Sequence, residues 1–129
     1  MSKYSEKQFL KSFSFALRGL RIGFKSQKNI RRQCCVAVLV FVCAYFLHFS
    51  LYEYLFLVIA VAMVLTAEMF NSAIEFSIDA VLKNKYSKLA GMAKDVAAGA
   101  VCITSFTAVI IGSLLFLNKI LPLVKGYFV

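Results

Sequence analysis

Residues 96–118 of this chain carry no charge, and that run alone limits the structures open to it. At about 1.5 Å of rise per residue, a helix over this stretch crosses the roughly 30 Å of hydrocarbon in a bilayer. Inside hydrocarbon every backbone N–H and C=O must find its partner within the protein, and a single apolar run achieves this only as a helix. Two shorter charge-free runs, 34–47 and 55–67, approach the same length once their flanks are added. Composition agrees: 61% of the 129 residues are hydrophobic and 16% charged, with mean hydropathy +0.80. A soluble domain of this size cannot cover so much apolar surface. The reading is an all-α integral membrane protein forming one domain over 1–129. Spans are expected at about 33–50, 52–72 and 96–118, with the second helix continuing to about Leu82.

Charge placement orients the spans. Of the 15 Lys and Arg, nine lie in residues 1–32 and four in 83–94, while the connection at 48–53 has none. The positive-inside rule then puts the N-terminus and the 83–94 linker in the cytoplasm and the 48–53 turn outside, as in a multi-pass inner-membrane protein. Lys119 and Lys125 pull weakly the other way. Because the basic residues flank apolar spans, their natural partner is an anionic lipid headgroup and not a nucleic acid.

Residues 6–28 read as an amphipathic helix, with Ser5 and Gln8 as a capping box. Phe9, Leu10, Phe13, Leu17, Leu20 and Phe24 share one face; Lys7, Lys11, Arg18, Arg21, Lys25 and Lys28 share the other, with Phe15 and Ile22 breaking the pattern. A basic amphipathic helix leading into a span is expected to lie in the headgroup plane. Tyr45, Tyr52 and Tyr54 belong to the aromatic belt at the outer turn, His48 is a bystander there, and Glu53 is a favourable charge at a helix start. Cys34, Cys35, Cys43 and Cys102 have no metal or redox spacing and read as small packing residues. Pro122 is expected beyond the last span, and no cleavable signal peptide is expected.

Chemistry concentrates on the second helix. Glu68, Asn71, Glu75 and Asp79 fall within about a quarter of the helical circumference. Ionisable groups in a membrane helix point to function by default. The next helix, opening near Ser87, brings Lys94 and Asp95 to the same depth, followed by the small residues Val96-Ala97-Ala98-Gly99-Ala100 that allow close helix approach. Carboxylates with an amide suit Mg²⁺, and a lysine near a helix start suits phosphate. Together they suit phosphoryl transfer at an inner membrane face. A plainer reading treats the stripe as interhelical glue in an oligomer. Two carboxylates two turns apart repel unless something cationic intervenes, which weakens that reading for Glu68 and Glu75 but not for Asp79.

The wording Glu68-Met69-Phe70-Asn71-Ser72-Ala73-Ile74-Glu75, then Asp79, then Ala93-Lys94-Asp95-Val96-Ala97-Ala98-Gly99-Ala100-Val101, closely resembles the prokaryotic diacylglycerol kinase/undecaprenol kinase family. The resemblance covers about residues 12–116, including Arg18-Gly19-Leu20-Arg21. It implies a homotrimer transferring the γ-phosphoryl group of ATP to a lipid hydroxyl with Mg²⁺; because three spans and one surface helix give one chain few walls, the active sites are expected to be shared between subunits. It also implies roles: Glu68 as general base, Glu75 as metal ligand and nucleotide contact, Asn71, Lys94, Asp95 and Arg18 as ATP or phosphate contacts, and Asp79 in support. The Ala97-Ala98-Gly99-Ala100-Val101 continuation looks more like the undecaprenol kinase branch than the diacylglycerol-specific one. One position departs from the family. Its metal-binding Glu in the turn before the first span falls here on Gln27, with Ser26 and Lys28 beside it. Two other classes stand beside the lipid kinase: a cation-coupled transporter using the carboxylates as a relay, and a non-catalytic oligomeric scaffold, which the departure at Gln27 leaves open.

Overall fold

The computed structural model describes residues 3–83 and 85–127, leaving Asn84 of the basic linker outside the described residues. Four helices follow in order: α1 (Lys3–Ser26), α2 (Lys28–Phe46), α3 (Leu51–Leu82) and α4 (Lys88–Tyr127). The last three are long and apolar enough to cross a membrane, giving the expected all-α membrane fold of one amphipathic helix and three spans.

Gln27 alone separates α1 from α2. Its backbone is extended, at φ −105° and ψ 115°, so the chain bends there without a loop. Arg31 of α2 reaches back across the bend, and its Nη1 donates to the carbonyls of Phe24 at 3.0 Å and Lys25 at 2.8 Å. These are among the carbonyls that a helix C-terminus leaves without partners. The expected bounds of 6–28 shift accordingly. Ser5 has helical backbone inside α1 and is not its cap, because the helix extends back to Lys3. The bend comes at Gln27, because that is where the Arg31 guanidinium closes the first helix.

The first span ends at Phe46, four residues before the expected limit of 50. His48 takes a left-handed φ of 53°, so residues 47–50 form a tight turn. Ser50 then caps α3 in a reciprocal box: its Oγ accepts from Glu53 N–H at 3.4 Å, while Glu53 Oε2 accepts from Ser50 N–H at 2.6 Å. Glu53 thus acts at the helix start, as its position suggested. Lys119 of α4 adds an ion pair to Glu53 Oε2 at 3.0 Å and donates to the His48 carbonyl at 3.4 Å. Beneath this cluster lies the main hydrophobic core, with Ala44, Phe49 and Leu57 buried. Phe49 packs against Phe116 with ring centroids 4.9 Å apart and against Tyr54 at 6.0 Å. Of the three tyrosines assigned to the interfacial belt, Tyr45 and Tyr52 are exposed, whereas Tyr54 turns inward to stack on Phe41.

At the other end of the helical pair, Lys94 Nζ meets Asp79 Oδ1 at 2.6 Å. The two acids stand 26 residues apart on α3 and the two lysines 25 apart on α4. The helices therefore run antiparallel in matched register over about 39 Å, at about 1.5 Å per residue. Ser87 opens α4 as expected, its Oγ accepting from Ala90 N–H at 3.4 Å. Pro122 does not follow the last helix but lies within it. Proline removes one N–H from the ladder, and α4 carries on past that single missing donor for five more residues.

Gly23 sets how closely the end of α1 approaches α3. A Cβ built on it would stand 2.5 Å from Met69 Sδ and 3.2 Å from Ile30 Cδ1, whereas one on Gly19 meets nothing within 4 Å. Gly23→Val is therefore expected to cost about 1–3 kcal/mol through overpacking. Gly19→Ala should instead gain about 0.5–1 kcal/mol from backbone entropy. Thermal unfolding of both variants in detergent measures the contrast.

Candidate active site

The polar stripe of α3 runs from a sealed end to a wet one. Glu68 is 5% exposed, Asn71 and Glu75 are half-buried, and Asp79 is exposed. From Glu68 to Asp79 the rise is about 16 Å, so one helix carries polar groups from a dry interior to its water-facing end. The pattern predicted by spacing is present on one side of α3, and the surrounding helices grade its exposure.

Glu68 meets α2. Its Oε1 accepts from Gln33 Nε2 at 3.0 Å, and Ser72 Oγ donates to the Glu68 backbone carbonyl at 2.8 Å. Gln33 carries no signal in the sequence motifs that single out the stripe. The clue available was its chemistry: an amide in the second turn of a helix whose remaining thirteen residues are uncharged.

One turn further along, Asn71 Nδ2 donates to Glu75 Oε1 at 3.1 Å, while Asn71 Oδ1 is buried with no partner among the described residues. Glu75 and Asn71 therefore present a carboxylate and a free amide oxygen side by side. That donor set fits a hard divalent cation such as Mg²⁺, which takes one or two protein oxygens and completes its octahedron with water and substrate phosphates. No group of three His, Cys, Asp or Glu side chains converges among the described residues. Any cation here thus leans on ligands from outside this chain's own cluster.

The remaining candidates sit at the wet end. Lys94 is held by Asp79 in a partly exposed ion pair. Such pairs contribute between nothing and about 1 kcal/mol, so the lysine is placed by Asp79 but readily released to a stronger anion. Asp95 and Arg18 are exposed, and among the described residues neither makes an ion pair. Gln27 is half-buried at the α1–α2 bend, and its side chain makes no cap hydrogen bond. A single chain therefore assembles three pairs, Gln33–Glu68, Asn71–Glu75 and Asp79–Lys94, and among the described residues no side-chain hydrogen bond or ion pair joins Arg18, Gln27 or Asp95 to them.

Chemically the arrangement offers a buried carboxylate within an apolar helix, a carboxylate–amide pair about 5–10 Å along it, and an exposed acid–lysine pair about 16 Å along it.

Comparison with known proteins matches this sequence to a family. The family description "Prokaryotic diacylglycerol kinase" matches residues 14–116. The undecaprenol kinase of Bacillus subtilis is 34% identical over 88% of this chain and 91% of its own length. A diacylglycerol kinase of Synechocystis sp. is 35% identical over 88% of this chain and 65% of its own length. The diacylglycerol kinase of Escherichia coli K12 is 30% identical over 80% of this chain and 84% of its own. The matched region holds the whole stripe, the α1–α2 bend and the Lys94–Asp95 pair, and by it this chain belongs to the prokaryotic diacylglycerol kinase family and is a lipid kinase.

Proposed function

We propose that this chain phosphorylates undecaprenol at the expense of ATP, with Glu68 as general base. The observation that carries the reading is the burial of Glu68 against α2 in an otherwise apolar stretch. A base placed there takes a proton from a hydroxyl arriving through lipid. Undecaprenol is favoured over diacylglycerol by the Ala97-Ala98-Gly99-Ala100-Val101 continuation and by the similarity to the Bacillus subtilis undecaprenol kinase over 91% of its length. Membership of a lipid kinase family removes the case for a cation-coupled transporter.

In the proposed reaction the lipid O–H bond breaks and its proton passes to a Glu68 carboxylate oxygen. The lipid oxygen forms a bond to the γ-phosphorus of ATP. The bond from that phosphorus to the β–γ bridging oxygen breaks, and ADP leaves with its electron pair. Glu68 then returns its proton to water. Glu75 and the Asn71 amide oxygen would hold Mg²⁺, which when bound neutralises charge on the phosphates. Lys94, exchanging Asp79 for phosphate, and Asp95 and Arg18 position the nucleotide. The charge excess of the linker and α1 supports a cytoplasmic position for this end, where ATP is available. A homotrimer with shared sites would give Arg18, Gln27 and Asp95, which form no side-chain hydrogen bond with the stripe among the described residues, partners across subunits. It also gives the exposed apolar face of α4, with Ile103, Phe106 and Val109, surfaces to pack on besides lipid.

The deciding experiment is ATP consumption by purified protein in micelles, with undecaprenol and diacylglycerol offered in parallel. Undecaprenol should be turned over faster; equal or reversed rates would move the assignment to diacylglycerol. Glu68→Gln and Glu75→Gln should each lower kcat by about 100-fold or more with the oligomer intact. Lys94→Met should chiefly raise the KM for ATP. Native turnover in Glu68→Gln would refute the base assignment.

Sharing of sites is tested by mixing. At an ATP concentration too low for Lys94→Met chains to turn over, mixing them with Glu68→Gln chains should restore activity when the two residues of one site come from different subunits. Mixed oligomers without activity would confine each site to one chain.

Gln27 supplies a third expectation. At a metal-ligand position a neutral amide holds a hard cation less tightly than a carboxylate. Gln27→Glu should then lower the Mg²⁺ concentration for half-maximal rate, and Gln27→Ala should cost less than Glu75→Gln. Superimposable Mg²⁺ titrations for the native chain and Gln27→Glu would place Gln27 away from the metal.

A further inference from the structure

Gln33 stands outside every role assigned above, yet it is the side chain that meets the sealed end of the stripe. Its Nε2 donates to Glu68 Oε1 at 3.0 Å, while its Oε1 is buried without a partner among the described residues. An orphaned buried acceptor costs about 1–3 kcal/mol, and native structures rarely keep one without reason. Gln33 also borders an apolar groove of about 490 Å³ between α2, α3 and α4, whose walls include Val40, Leu57, Val64 and Phe116. Besides Gln33, the polar side chains lining that groove are Ser105 and Ser113 of α4, whereas the group that the amide already touches is Glu68.

The chemistry of the neighbour accounts for the orphan. A general base takes two forms in every turnover. As a carboxylate, Glu68 offers only acceptors and needs an N–H. After taking a proton it carries an O–H and needs an acceptor. A glutamine amide holds both, and its terminal torsion is broad and roughly two-fold, so half a turn exchanges Nε2 for Oε1 at the carboxyl group. A lysine would serve only the charged form, and a leucine neither.

We propose that Gln33 is a positioning residue that partners Glu68 in both protonation states, N–H toward the carboxylate before proton transfer and C=O toward the carboxylic acid after it. The amide itself gains and loses no proton. The proton moves from the lipid hydroxyl to Glu68 and then to water, and Gln33 rotates to match. This role presupposes Glu68 as the general base, as proposed above.

The test uses the full-length protein in micelles with Mg²⁺, ATP and whichever lipid alcohol it turns over faster. Gln33→Met keeps the length of the side chain and removes both hydrogen-bonding groups. Its kcat should fall about tenfold or more, as expected when a catalytic group loses its orientation. The KM values for ATP and lipid should stay within about twofold, since ground-state binding is untouched. Gln33→His keeps one N–H and one ring acceptor and should retain kcat within about threefold of native. In a Glu68→Asp background, whose shortened carboxylate falls back from the amide, Gln33→Met should add less than about a twofold loss.

Native kcat in Gln33→Met, a loss confined to KM, or a full loss multiplied onto Glu68→Asp would each overturn the role. Should Gln33→Met fail to fold, Gln33→His decides alone: folded and inactive, it refutes the proposal. Glu68→Gln, run alongside, separates the two failures. If it turns over lipid at the native rate, the base assignment falls and takes Gln33 with it. If it is inactive while Gln33→Met is native-like, only the positioning role is lost.

Discussion

Glu68 is a carboxylate shut away from water in the middle of an apolar helix, and much of the structure answers to that placement. Burying an ionisable group without compensation is costly enough that proteins pair it, hydrate it or neutralise it. Here an amide on the neighbouring span supplies the partner. Gln33 must therefore come level with Glu68, which fixes the depth of α2 against α3. The bend at Gln27 and the Arg31 guanidinium that closes α1 follow directly on the chain, so the amphipathic helix departs at a set height. Gly23 then lets its end settle against Met69, the residue next to Glu68.

The two ends of the α3–α4 pair are built differently, and the difference serves the chemistry. The end at the α2–α3 turn is clasped by a capping box, the Lys119–Glu53 ion pair and the packed rings of Phe49, Phe116 and Tyr54. The opposite end has, among the described residues, the Asp79–Lys94 pair, partly exposed and easily traded. In the proposed reaction, a lysine that meets an incoming phosphate is better held by a weak, exposed ion pair than by a buried one, since breaking a buried pair would strand a charge. Register is thus secured at the end away from the stripe, and the groups proposed to meet nucleotide remain available at the other.

Much of this was legible beforehand. Charge-free runs identified three spans, because backbone in hydrocarbon has no alternative to the helix. The i, i+3, i+7, i+11 spacing put Glu68, Asn71, Glu75 and Asp79 on one side of α3, because helical geometry is local. Glu53 at a helix start and Ser87 at another were readable for the same reason. The boundaries were less so. The first span stops at Phe46 because His48 adopts a left-handed turn, and α4 runs through Pro122, choices that depend on surroundings and not on periodicity.

What the sequence determined by itself was the class of fold, the family and the polar stripe, all consequences of patterns within single helices. What only the tertiary structure decided was which of those polar groups meet. Gln33 lies 35 residues before Glu68 and Lys119 lies 66 after Glu53. Nothing in local spacing couples such positions. They are joined by helix packing, where the depth and rotation of one helix against another select the contacts. The orphaned amide oxygens of Gln33 and Asn71 belong to the same category, because an unsatisfied acceptor exists only once neighbouring helices have sealed it from water.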